Sequence, residues 1–282
     1  MMPGIVTLRW TDWFWDPMTM AALALTAVSY LWILQRFPRQ AAHAGSFWAG
    51  FLVLVIALLS PIHTGAAYLF WLHMVQHMLL MIVVPPLIVL GMPTGALGWV
   101  YRRRGLRRLH RFVWSPGVAT ILYNGVFLLW HVPAMYDATL WSVWIHTIEH
   151  ASFVAVGLVF WGVVAFPGAR RPALGWRFVM LMASNVVDFL VGLTFAFSNR
   201  PFYLPYTHVP RLWGFTPLAD QRLGGLVMWV GGQMMYTVPM LALLYWWILR
   251  DPGGSISSGP VPLGIAAGGG DGWSRRETGA RS

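Results

Sequence analysis

The sequence predicts an all-α fold, a polytopic membrane bundle of about seven transmembrane helices, and two observations carry that assignment. Hydrophobic residues fill 57% of the 282 positions and charged residues only 10%, far from the balance of a soluble domain. The apolar residues gather into runs near the ~20 residues that a helix needs to cross the hydrocarbon core of a bilayer. Short segments holding most of the arginines separate those runs.

The first run, 18–35, follows Asp12 and Asp16 and precedes Arg36 and Arg39. A cleaved signal peptide has the opposite polarity and a shorter apolar core, so this segment is read as a retained helix. The second run covers 46–63. The third, 70–91, contains Pro85-Pro86, and a proline pair frees backbone carbonyls, so that helix is expected to kink or end early. Runs at 117–135, 142–165, 176–196 and 224–249 complete the set. From about Asp251 the composition turns to Gly, Ser and Pro, which cannot bury a core. The expected organisation is a seven-helix membrane domain over 1–250 and a disordered cytoplasmic tail over 251–282, without internal repeats.

A net charge of +10, carried entirely by arginine on the basic side, raises the question of a nucleic-acid partner. Membrane topology accounts for it instead, because the arginines sit in short loops between apolar runs. With the N-terminus outside, the inner segments hold 15 arginines, including the run Arg102 to Arg111, and the outer segments hold 4. The orientation is therefore N-out and C-in. Trp10, Trp13 and Trp15 fit an aromatic belt at the outer surface.

That orientation gives the histidines a common depth. His63 ends the second run on the outer side, His73 and His77 open the third, His131 ends the fourth, and His146 and His150 open the fifth with Glu149 between them. A lone membrane histidine is usually a hydrogen-bonding contact between helices. Here residues from both starts and ends of antiparallel helices converge at one level. His73 and His77 are four residues apart, as are His146 and His150, so each pair projects from one helix face, ~6 Å apart along the axis.

The residue types around them point to a metal. Cysteine is absent, so thiolate ligation is excluded. Met74, Met78 and Met81 recur beside the first pair, and Met228 lies in the outer half of the last run. Imidazole with thioether suits copper, and imidazole with carboxylate also suits zinc. Asp188, with Asn185 on the same face, lies ~18 Å from the inner end of the sixth run, where an ionisable group needs an interior partner. Glu149 and Asp188 are expected to orient the imidazoles by accepting their N–H groups. The string His146-Thr-Ile-Glu149-His150 also matches the inverted zinc-peptidase pattern, but no further acidic ligand follows at a suitable position. His43, His110 and His208 lie in loops apart from this cluster.

Several strings resemble a known family: His73-Met-Val-Gln76-His77-Met-Leu-Leu, then Pro85-Pro86-Leu and Gly91-Met-Pro93. Trp130-His131-Val-Pro133, Tyr136-Asp137, His146-Thr-Ile-Glu149-His150, Asp220-Gln221, Gly224-Gly225 and Met228-Trp229 follow in order. Together, over roughly 60 to 250, they resemble the cytochrome c oxidase assembly factor family CtaG, the seven-helix integral kind associated with bacterial caa-type oxidases. Where that family often carries an acidic residue after Ser-Pro, this chain has Ser60-Pro61-Ile-His63. The resemblance implies a non-enzymatic role in maturing the oxidase in the bacterial inner membrane, with oxidase subunits and the lipid bilayer as partners and copper as the ion supplied. The site expected from residues and resemblance together has His73, His77, His131, His146 and His150 as metal ligands. His63, Met74, Met78, Met81 and Met228 are possible additions, and Glu149, Asp188, Asp220 and Gln221 are supporting groups. The competing readings are a membrane-embedded zinc hydrolase, a transporter or haem-binding module, and a metal-free structural chaperone.

The orientation generates a direct test. Reporter fusions after Arg104 and within the tail are expected to report cytoplasm, and fusions near Asp137 and His208 the outer side. An outward-reporting tail would overturn the orientation.

Overall fold

The computed structural model describes residues 7–38, 43–96, 104–166 and 172–250. The expected tail at 251–282, and with it Arg39, Arg102, Arg103, Arg170 and Arg171, lies outside the described residues. The described chain is helical, and each apolar run corresponds to a helix.

Local chemistry sets the helix ends. Asp16 caps α1 (Pro17–Arg36), its Oδ2 accepting from the Thr19 backbone N–H and hydroxyl at 2.7 Å each. The second run does not continue to 63: α2 spans Ala44–Leu59, and Ser60-Pro61 interrupts it. A residue before proline is pushed to extended backbone, which Ser60 adopts, and its hydroxyl then starts α3 (Pro61–Ala66) by accepting from Ile62 N–H at 3.2 Å. His63 therefore belongs to a separate short helix rather than to the end of α2.

Pro85-Pro86 does not end α4 (Phe70–Gly91) either. Just before the prolines, Leu79–Val83 winds as a π-helix, and Val84 N–H reaches back to the Leu79 carbonyl. The Met81 carbonyl, four residues before Pro85, is taken over by two side chains: the Trp161 indole N–H donates to it at 3.2 Å and the Tyr123 hydroxyl at 3.4 Å. A freed carbonyl that neighbouring helices satisfy does not force a helix to stop.

The basic helix α5 (Arg104–Val113) meets α6 (Pro116–His131) at a break, where the pair bends by 68°. Pro133 ends the fourth run short of 135 and opens α7 (Pro133–Trp141). Then come α8 (Val143–Ala165), α9 (Leu174–Ala196) and a short α10 (Pro205–His208). The last helix, α11 (Pro217–Leu249), begins earlier than 224, because Thr216 caps it by accepting from Ala219 N–H at 3.2 Å. Helices α1, α4, α8, α9 and α11 are long and apolar enough to cross a membrane; α5 with α6 forms a bent sixth candidate, and α2 is a shorter apolar helix.

The most enclosed of these is α4, while α1 leaves Leu25, Val28 and Trp32 exposed, the inside-out pattern of a helix facing lipid. Around α4 pack α2 at its far end and α8 along its middle, with α6 and α9 completing the ring and α11 closing it. Two glycines let α9 and α11 cross at backbone contact: a Cβ at Gly192 would lie 2.8 Å from the Trp229 nitrogen, and one at Gly225 2.7 Å from the Gly192 oxygen. Replacing Gly225 by Val is expected to destabilise the detergent-solubilised protein by about 1–3 kcal/mol through overpacking. Gly125→Ala, where an added Cβ meets nothing within 4 Å, is expected to keep or slightly raise the melting temperature, since alanine favours a helix over glycine. Equal melting curves for Gly225→Val and the parent chain would contradict this crossing.

Candidate metal centre

Three helix ends meet at one end of the bundle. The start of α4 carries His73 and His77, the start of α8 carries His146, Glu149 and His150, and the end of α6 carries His131. The start of α4 has no capping side chain of its own. Asp220, across on α11, supplies one: Phe70 N–H donates to its Oδ2 at 2.8 Å and Trp71 N–H to its Oδ1 at 3.0 Å. Gln221 works similarly on the preceding loop, accepting from Phe202 N–H at 2.6 Å and donating to the Arg200 carbonyl at 3.1 Å. These two residues, expected as supporting groups, hold backbone, and neither is hydrogen-bonded to an imidazole.

Glu149 occupies the centre rather than the periphery. It is fully buried, and neither carboxylate oxygen has a hydrogen-bond partner. His77 Nε2 lies 3.4 Å from Oε1, and His73 Nε2 lies 3.6 Å and His146 Nε2 4.0 Å from Oε2. His73, His77, Glu149 and His150 each present one donor atom within 4.8 Å of all the others. His150 is buried and its Nε2 is likewise unpartnered. His146 stands beside this quartet, its ring centroid 4.1 Å from that of His150, and is partly exposed.

The outer imidazoles are anchored differently. A carbonyl only accepts, so the 2.7 Å contact between His131 Nδ1 and the Phe127 carbonyl puts the proton on Nδ1 and leaves Nε2 with a bare lone pair, itself unpartnered. His131 lies next to His77, with ring centroids 6.1 Å apart. His63 receives a hydrogen bond at Nδ1 from Gln76 Nε2 at 2.9 Å, while that amide also donates to the Ala57 carbonyl at 2.7 Å. His63 thus carries its proton on Nε2 and stacks on His146 with centroids 5.5 Å apart, outside the quartet.

Two tyrosines that no helical periodicity singles out complete the arrangement. Tyr136 Oη is 2.9 Å and Tyr206 Oη 3.1 Å from His73 Nδ1; the two hydroxyls are 3.0 Å apart, and Tyr206 donates to the Ala66 carbonyl at 2.9 Å. Only the last step has a fixed direction, Tyr206 to the Ala66 carbonyl; Tyr136 bridges Tyr206 and His73 Nδ1, and the network accommodates either neutral tautomer of His73, whose Nε2 faces Glu149. Tyr206 sits in the four-residue helix α10, too short for a spacing rule to have placed it; Tyr136 belongs to one of the quoted family strings.

Asp188 does not accept from any imidazole, contrary to expectation. Its Oδ2 is unpartnered, and its carboxylate rests against Gly232, where any side chain would collide with it. It lines a small enclosed cavity together with Met74, Met78, Met81, Met228 and His131, with His77 also on the wall. On the other side, a lateral groove of about 520 Å³ between α1, α2 and α8 reaches His63, His146 and His150.

Over residues 5–250 the chain matches the family described as cytochrome c oxidase caa3 assembly factor (Caa3_CtaG), and it belongs to that family. It is similar to an uncharacterized protein of Mycobacterium leprae, 25% identical over 276 residues, covering 88% of this chain and 41% of the relative. Uncharacterized proteins of Mycobacterium bovis and Mycobacterium tuberculosis are each 24% identical over 277 residues, with the same coverage of 88% and 41%. The chain thus spans about two fifths of the length of these relatives. No solved structure matches it.

The dependence of the site on Asp220 is testable by stability alone. Asp220→Ala strips two N–H groups of their acceptor and is expected to cost about 0.5–2 kcal/mol, the usual range for a lost cap. Asp220→Asn keeps one acceptor and is expected to lose less. Unchanged thermal unfolding for Asp220→Ala would show that α4 does not rely on this contact.

Proposed function

We propose that this member of the caa3 assembly factor family binds copper at the buried quartet His73, His77, Glu149 and His150 and releases it to a cytochrome c oxidase subunit. In this reading the histidine end of the bundle faces outward from the bacterial inner membrane, and His131 and His146 flank the ion rather than bind it. The observation that carries the reading is the set of donor atoms gathered within 4.8 Å, buried and without other partners. Ligands sharing one four-coordinate ion at ~2.1 Å lie ~3.4 Å from each other. His77 Nε2 lies 3.4 Å from Glu149 Oε1 and His73 Nε2 3.6 Å from Oε2, so each imidazole meets that spacing at its own carboxylate oxygen.

Electrostatics support a cation as well. A carboxylate buried without a hydrogen-bond partner costs several kcal/mol, and the imidazole nitrogens around it lack one as well. A positive ion among them offsets both. The groove between α1 and α8 offers an approach by way of His146.

The presence of Glu149 inside the donor set also favours a second reading. Three imidazoles and a carboxylate suit zinc as well as copper, and a zinc ion exposed to the groove could activate water for hydrolysis. The two readings separate experimentally. Protein purified on a tag without histidines is expected to retain copper by elemental analysis, about one equivalent of it per chain dependent on the quartet. Glu149→Gln and His150→Ala are each expected to lose it while remaining inserted and folded, and to lower the copper content of the oxidase in cells. Zinc in place of copper, with hydrolysis lost on chelation, would establish the alternative. Metal content unchanged in both variants would overturn the site.

A further inference from the structure

The methionines beside the histidine cluster invite a plain explanation, since Met is a common filler of irregular cores. Three features of their surroundings argue against filler. Flexible thioethers able to close a gap leave one open: the cavity they line has a volume of about 20 Å³, room for a single water-sized body. Beside Ile82 and Phe127 and the hydrogen-bonded pairs Tyr123–Tyr236 and Asn124–Ser184, the wall also carries His131 Nε2 and Asp188 Oδ2, both buried and both lacking a hydrogen-bond partner. The proton of His131 is committed to the Phe127 carbonyl at 2.7 Å, so the nitrogen on offer is a lone-pair donor.

From this donor set we infer a second cation site, distinct from the quartet and selective for a soft monovalent ion such as Cu(I). The thioethers of Met74, Met78, Met81 and Met228 and Nε2 of His131 serve as donors, and Asp188 supplies the neutralising charge. Thioether sulfur prefers Cu(I) to harder ions. The cavity is too small for a hydrated ion, so an entering cation sheds its whole water shell. That desolvation cost grows with the square of the charge, which favours a monovalent over a divalent cation. A single carboxylate balances one positive charge, and Gly232 supplies the space that lets it approach. His77 stands on the wall of this cavity and within the quartet, so the two sites adjoin.

The inference deepens the proposed copper-handling role, and its test separates the two sites. The quartet of the full chain in detergent is first loaded with Co(II), whose visible absorption reports nitrogen and oxygen ligation. Ag(I), a redox-inert stand-in for Cu(I), is then titrated in. The expected result is uptake of one further equivalent of Ag(I) with the Co(II) spectrum retained. Met78→Leu combined with Met228→Leu, both close in volume, should abolish that equivalent and leave Co(II) binding intact. Asp188→Asn, nearly isosteric, should weaken Ag(I) binding at least tenfold, which keeps the test alive if the double variant fails to fold. Ag(I) that displaces Co(II) instead of adding to it, or Ag(I) uptake unaffected by these changes, overturns the second site. Loss of Co(II) binding alone, with the methionine-dependent Ag(I) equivalent retained, overturns the quartet and leaves this inference standing.

Discussion

A carboxylate buried without a hydrogen bond is costly in any protein, and Glu149 imposes that cost on everything packed around it. Nothing in the nearby backbone relieves it, and its neighbours are imidazole nitrogens on three other positions. For those nitrogens to stay within 4.8 Å, the helix ends that carry them must be fixed in depth and rotation. Much of the surrounding architecture serves that purpose. Asp220 holds the first turn of α4 from across the bundle, and Ser142 caps the start of α8. The Tyr203 hydroxyl donates to the His131 carbonyl at 3.0 Å, tying the end of α6 to the loop that carries Tyr206.

Elsewhere the bundle satisfies its buried polar groups with care, which gives the unsatisfied ones their meaning. The carbonyl released by Pro85 receives two donors from other helices. Gln233 is satisfied at both ends across α9 and α11, its Oε1 accepting from Asn185 Nδ2 at 2.9 Å and its Nε2 donating to the Asn185 carbonyl at 3.3 Å. Asn124 reaches both the Thr120 carbonyl and the Ser184 hydroxyl. Against that background, most of the unpartnered buried side-chain atoms among the described residues belong to His73, His77, His131, His146, His150, Glu149 and Asp188. A bundle packed loosely throughout would scatter such atoms evenly, whereas here the greater part of them lies at the histidine end and in the cavity that adjoins it.

Much of this was legible from residue order. Apolar run length located the helices, and four-residue spacing put His73 with His77 and His146 with His150 on common faces. Local proline chemistry was read less well, because its outcome depends on neighbours. Ser60-Pro61 split a run that hydropathy joins, since a serine hydroxyl was ready to start a new helix. Pro85-Pro86 failed to end one, since Trp161 and Tyr123, distant in sequence, took up the freed carbonyl. The roles of the acidic residues were harder still. Depth along a helix says that Asp188 is interior, but only tertiary packing shows that its partner is absent and that Gly232 makes room for it. Glu149 was expected to support the imidazoles and instead lies among them. One residue of helical rotation, about 100°, separates those two placements, and sequence spacing does not resolve it.

The anchoring of the imidazoles explains how one cluster can present donors of different character. A histidine has two nitrogens, and a hydrogen bond to one decides what the other can do. In His131 the Phe127 carbonyl takes the proton, so the free nitrogen offers a lone pair toward the methionine-lined cavity. In His63 the Gln76 amide takes the lone pair, so the free nitrogen keeps its proton and cannot bind a cation. The tyrosines beyond His73 end on the Ala66 carbonyl, which fixes the Tyr206 hydroxyl as a donor and leaves its oxygen to accept from its neighbours. The protein contacts behind each ring, not the number of histidines in front, determine which of them can act as ligands. Exchanging the atom that anchors an imidazole would therefore change its chemistry without moving it.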